Sequence, residues 1–221
     1  MAAAADHNKL VKQAAKSVLN PAGLFQKAST RMWIDDNGWY LILVEFQPSM
    51  WSKGSYLNVG IHYLWDARDY LGFDYGYRIS GFVEYKDDDA AFLKEMLLFA
   101  EKAKEKVLQY RLFRDLEYAQ KQICSYRQNL GEARGLYHNM MICGLCQDQQ
   151  AKTYFTQLMN RLPQATTQWE KAYYQELTES IAPLIEDPVQ FRSYICEKIT
   201  RQKAFWRTKS GMKKLKEANL F

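Results

Sequence analysis

Apolar and polar positions divide the chain into two textures. Up to about residue 86, after an opening helix, apolar residues recur with period 2. Beyond it they recur at helical spacing. At the start, Leu10, Val11, Ala14, Ala15, Val18 and Leu19 form one apolar stripe, which predicts a helix over residues 5–19. Asn20-Pro21-Ala22-Gly23 ends it, since Pro cannot continue a helix and Gly tolerates the left-handed exit. Residues 31–34 and 39–47 read as strands flanking Asp35-Asp36-Asn37-Gly38. Asn-Gly predicts a type I′ hairpin turn, which needs positive φ at both central residues. Residues 55–65 alternate, with Leu57, Val59, Ile61, Tyr63 and Trp65 opposed to Tyr56, Asn58, Gly60, His62 and Leu64. Residues 77–85 do the same, with Tyr77, Ile79, Val83 and Tyr85 opposed to Arg78, Ser80, Phe82 and Glu84. Alternation predicts one buried and one wetter face. The simplest assembly is a four-stranded antiparallel meander with the first helix on its apolar face.

From Asp87 the pattern is helical. Asp87-Asp88-Asp89 suits a helix start, and Phe92, Met96, Phe99, Ala103, Val107 and Tyr110 mark one face. Further helices are predicted at about 114–128, 132–146, 149–161, 165–182, 188–203 and 211–219, with Asn129-Leu130-Gly131, Asp148, Pro163, Pro183 and Ser210-Gly211 as punctuation. Short connections predict antiparallel helical hairpins. Ala151, Phe155 and Pro163 fit the second half of a tetratricopeptide unit. The first half fails, as does the shift by one period, so no repeat array is predicted. The fold class expected is α+β: an α+β domain over residues 1–86, then an all-α region over residues 87–221.

Composition adds little to this picture until charge is mapped. The 221 residues are 48% hydrophobic, which excludes intrinsic disorder. No apolar run has the length of a membrane span, and residues 1–12 do not read as a signal peptide, so a cytoplasmic location is expected. Cys124, Cys143, Cys146 and Cys196 all lie in predicted helices, which suits reduced thiols. The net charge of +5 is uneven. Residues 189–221 hold nine basic and two acidic side chains, leaving 21 basic against 23 acidic elsewhere. A slightly acidic body therefore carries a basic end.

Candidate chemistry is sparse. Cys143-Gly144-Leu145-Cys146 has the spacing of a redox pair or half a zinc site. It lies near a predicted helix C-terminus, where the dipole opposes a thiolate, and no second ligand pair has motif spacing. Close packing of two small residues is the simpler reading. His7, His62 and His138 form no HExxH, and no G-x-S-x-G, GxGxxG or P-loop pattern occurs. No metal or other cofactor is expected. His62 shares the predicted polar sheet face with Asn58 and, on the next strand, Arg78, a face that can orient a ligand or a proton transfer. In the basic end, Arg201, Lys203, Arg207, Lys209, Lys213 and Lys214 surround Trp206, an arrangement suited to phosphates and stacked bases, or to a solvated terminal helix.

Three stretches carry a family resemblance: residues 19–27 (LNPAGLFQK), residues 44–51 (VEFQPSMW) and residues 56–61 (YLNVGI). Together they resemble a bacterial domain-of-unknown-function family, number 4304. The resemblance covers the first third of the chain. It implies an N-terminal helix with an antiparallel sheet, and no activity. Gln47, Ser49, Trp51 and Asn58 match its motif and would lie on a shared surface or in turns. The candidate ligand-binding set is thus Gln47, Trp51, Asn58, His62 and Arg78. With no catalytic motif and many Trp and Tyr, the expected function is a non-catalytic interaction protein with a protein partner, engaged through the aromatic-rich sheet edge or a groove of the helical half. The alternatives are nucleic-acid binding through the basic end and a small enzyme built around His62.

Overall fold

The computed structural model describes residues 6–126, 132–164, 167–209 and 212–217. It is an α+β fold: an N-terminal helix, an antiparallel sheet and a helical region. Helix α1 (His7–Leu19) is capped by Asp6, whose side chain accepts from the Asn8 N–H. The sheet has five strands in the order of the chain: β1 (Phe25–Gln26), β2 (Met32–Asp36), β3 (Tyr40–Gln47), β4 (Gly54–Tyr63) and β5 (Tyr75–Glu84). The period-2 pattern predicts four of these. Strand β1 is only two residues long and too short to show alternation.

The turn between β2 and β3 also differs from expectation. Gly38 has φ of +87° and Asn37 has no positive φ, and the Asn37 N–H bonds the Tyr40 carbonyl at 3.0 Å. A three-residue loop with one left-handed glycine replaces the type I′ turn.

Helix α2 (Asp89–Tyr110) lies against β3, β4 and β5, and α1 packs beside it, bonded through Asn8 to Arg31 next to β2. Its buried face is Phe92, Met96, Phe99, Ala100, Ala103 and Val107, and Asp88 caps its start. The rest is α3 (Leu116–Ser125), α4 (Glu132–Leu145), α5 (Gln150–Arg161), α6 (Gln168–Glu176) and α7 (Pro188–Lys209). Helix α6 passes into a π turn over Leu177–Ile181. Helix α4 is buried on nearly every side and packs on α3, α5 and α7. Gly144 permits the close approach to α7: a Cβ there would lie 2.2 Å from the Phe191 ring. Residues 129–131 and 210–211, expected as helix stops, lie outside the described residues. Residues 212–217 form turns rather than the predicted last helix.

Buried apolar side chains of both segments join in one core, from Leu10 through Trp33, Ile42 and Phe99 to Ile142, Phe191 and Leu215. The second face of the sheet is not uniformly wet. Its Leu41, Leu43, Gly60 and His62 end is buried. The end of α7 and the turns after it close over this part: Trp206 lies edge-on to His62, and Lys203 pairs with Asp36 at 2.8 Å. No helix among the described residues is long and apolar enough to cross a membrane.

Candidate functional site

The predicted ligand set separates into two places. Asn58, Gln47 and Arg78 do come together on the second sheet face, with Asn58 itself buried and Arg78 exposed. Strand register puts Asn58 opposite Glu45 on β3 and Arg78 on β5. The Asn58 amide donates to Glu45 and Gln47, each at 2.9 Å, and Arg78 donates to Gln47 at 2.8 Å. The Arg78 guanidinium lies 4.0 Å from the Tyr56 ring centre. It is exposed and held flat by this stack. Trp51 stands apart, 90% exposed at the β3–β4 tip beside Met50.

His62 does not join them. Its ring is fully buried within a polar cluster that sequence reasoning missed. Asp66, Arg68 and Asp74 come from the β4–β5 connection, and His138 comes from α4. Arg68 donates to Asp74 at 2.5 Å and lies 3.3 Å from Asp66. The Tyr63 N–H also donates to Asp74, at 2.8 Å. The Gln202 amide donates to the Arg68 carbonyl at 2.5 Å.

Hydrogen bonding fixes the protonation of both histidines. An indole N–H only donates, so His138 Nδ1 accepts from Trp65 at 3.2 Å. A guanidinium only donates, so His62 Nδ1 accepts from Arg68 at 3.0 Å. Each neutral ring therefore carries its proton on Nε2. Burial holds both in the neutral form: it lowers His138 to about 3 and, with Arg68 next in weight, takes His62 well below its usual value. Burial also raises Asp74 to about 6, against the opposing pull of Arg68.

Asp66, Asp74 and His138 offer ligand atoms within 4.8 Å of one another. The donor set does not suit a metal. His138 Nε2, 3.8 Å from Asp74, bears the proton that Trp65 forces onto it. Arg68 already supplies the cation between the two carboxylates. Neither histidine presents a free basic nitrogen, and the cluster, one guanidinium between two carboxylates, ties β4 to α4 and α7.

The basic end is largely committed. Lys203 and Trp206 are buried, each about 2% exposed, so neither reaches a phosphate or a base. Both sit where the sheet needs cover, Lys203 on Asp36 and Trp206 against His62. Arg201 pairs with Glu197 one turn earlier, and Arg207 with Glu217 at 3.2 Å. Lys213 and Lys214 are exposed. The Lys209 side chain lies outside the described residues.

All four cysteines are free thiols. Cys143 faces Cys124 on α3, with sulfurs 3.9 Å apart, while Cys146 points to the Leu116 carbonyl at 3.7 Å. The CxxC residues therefore engage different neighbours.

Strand β5 is the last strand of the sheet and its free edge. On its outer side the Gly76 N–H donates to the Tyr126 hydroxyl at 2.9 Å. Beyond it, among the described residues, no strand covers the edge from Tyr77 to Glu84. Tyr77 is 51% exposed there. The signal was present in the sequence, since Tyr77 to Glu84 contains no Pro or Lys to guard an edge. No family model, curated protein or solved structure matches the chain.

Proposed function

We propose that the protein is a non-catalytic binding protein that takes a protein partner along β5. The observation that carries this reading is the edge left open from Tyr77 to Glu84. An extended partner segment can add a sixth strand there, with main-chain hydrogen bonds for affinity and neighbouring side chains for selectivity. Tyr77 and Arg78 would supply that selectivity. Arg78 is already oriented by Tyr56 and Gln47, so little side-chain freedom is lost on binding. Most edges are blunted by Lys, Pro, short length or bulges; this one carries only Arg78 and Glu84 as charges, and its pairing with β4 shifts register opposite Ser55–Asn58.

The test is Gly81→Lys. A Cβ at Gly81 meets nothing within 4 Å, so the fold accepts the side chain while the edge gains a charge. A partner captured from lysate at near-stoichiometric yield by the parent, and lost by G81K with an unchanged unfolding midpoint, supports the proposal. Equal capture by both proteins, or no capture by the parent under several conditions, refutes it.

A further inference from the structure

At the opposite end of the sheet, α1, the β1–β2 turn and the end of β3 enclose an open groove of about 400 Å³. Its charged lining is Lys12, Lys27, Arg31 and Glu45. Among the described residues, none of the three cations has a carboxylate within 4 Å, although buried or bridging cations elsewhere, such as Arg68, Arg111 and Lys203, do.

Arg31 is half-buried and satisfied by neutral acceptors alone. It donates from Nε to the Asn8 side chain at 2.8 Å, from Nη1 to the Gly54 carbonyl at 3.0 Å and from Nη2 to His7 Nε2 at 2.9 Å. Burial lowers its pKa, against the weaker opposing pull of Asp6. It therefore acts as a fixed positive charge in the groove wall, with nearly all its N–H groups already used. Donors for a ligand come instead from the ammonium groups of Lys12 and Lys27, three N–H each, and from the exposed Ser29 hydroxyl. Lys27 lies 5.8 Å over the Trp206 ring, which steadies it. Glu45 is engaged by Asn58 at 2.9 Å. Three cations against one carboxylate leave the lining at a formal +2, equal and opposite to a phosphate monoester. The volume lies within the range of small-molecule sites, and Met32 and Pro48 offer apolar contact for the organic part.

We propose that this groove binds a phosphate monoester, with Lys12, Lys27 and Ser29 donating to its oxygens and Arg31 fixing the field. The ligand's source is either a soluble phosphorylated metabolite or the headgroup of phosphatidic acid. The second would bring Met50 and Trp51, on the tip that follows Pro48, against a bilayer.

Glycerol 3-phosphate, the part shared by both sources, is titrated calorimetrically into the full chain in chloride buffer, with glycerol as control. Saturable one-to-one binding is expected, with none for glycerol. Lys12→Gln with Lys27→Gln should weaken it at least about tenfold, because two charge-assisted hydrogen bonds are lost. Lys102→Gln with Lys121→Gln, which removes the same charge from exposed helix positions, should leave it unchanged. Absent binding, or an equal loss in both double variants, overturns the proposal. Vesicles of phosphatidylcholine with and without phosphatidic acid then identify the source. Sedimentation with phosphatidic acid and a blue shift that Trp51→Phe removes assign the lipid. Glycerol 3-phosphate binding without recruitment assigns the metabolite.

Discussion

Replacing Arg68 by Met removes the guanidinium that joins Asp66, Asp74 and His62, while keeping a long apolar stem. Two almost fully buried carboxylates then lose the cation that lies within 4 Å of both. Breaking a buried ion pair from one side costs about 3–5 kcal/mol, a large share of the roughly 5–15 kcal/mol that holds a domain folded. The loss has a pH signature. Burial raises Asp74 to about 6 even with Arg68 opposing it, and without Arg68 the value moves higher. A carboxyl raised above its unfolded value of 3.8 favours the fold when protonated. That contribution is full below the unfolded value and is lost as pH rises through the folded one. The deficit of Arg68→Met should thus be greatest above the variant's Asp74 pKa. It should shrink by about 1.4 kcal/mol per pH unit down to about pH 6, where the parent also takes up the proton. Urea unfolding followed by tryptophan fluorescence, near pH 8 and near pH 6, measures both effects. A loss below about 1 kcal/mol, or one that grows on acidification, would refute the assignment of Arg68 as the cluster's neutralising cation. Arg68→Met with Asp74→Asn should lose less than Arg68→Met alone.

Three further outcomes are expected. Trp206→Ala should destabilise by about 3–5 kcal/mol in thermal or urea unfolding, since it empties a buried site over His62. Gly144→Ala should cost about 1–3 kcal/mol by forcing the Phe191 and Ile195 side chains aside, visible as a lowered unfolding midpoint. In a thiol titration of the folded protein across pH, Cys124 should react first: a hydrogen bond from Cys143 lowers its pKa, whereas burial raises Cys146 to about 11. Mass mapping that finds Cys143 or Cys146 labelled first would count against this.

Alternation at residues 55–65 and the stripe at Leu10, Val11 and Ala14 are local signals, so strands and helices were legible from the sequence. Strand β1 was not, because two residues cannot show a period. Burial of the second sheet face was not legible either, because its cover comes from Trp206 and Lys203, well over a hundred residues from His62 and Asp36. Locally, a Trp among lysines looks the same whether it stacks on a base or seals a core. His62 shows the same limit. Its strand position made it a surface residue, and only Arg68, Asp74 and Trp206 together explain why it is buried. Asn58 and Arg78 meet because strand register alone brings them together, and Gln47, singled out by a motif rather than by register, bonds both.

The late cover over the sheet also orders events in time. Gln202 bonds the Arg68 carbonyl across 134 positions, and the Lys216 N–H bonds Asp36 across 180. A chain emerging from the ribosome completes its five strands long before either partner exists. Through that interval the end of the sheet face around Leu41 and Leu43 lacks the cover of residues 202–216, and an apolar sheet face is open to chaperones or to other nascent chains. Contacts so distant in sequence close slowly. The step that completes the fold is thus the docking of residues 202–216, and slowing synthesis just before them should lengthen the period of risk.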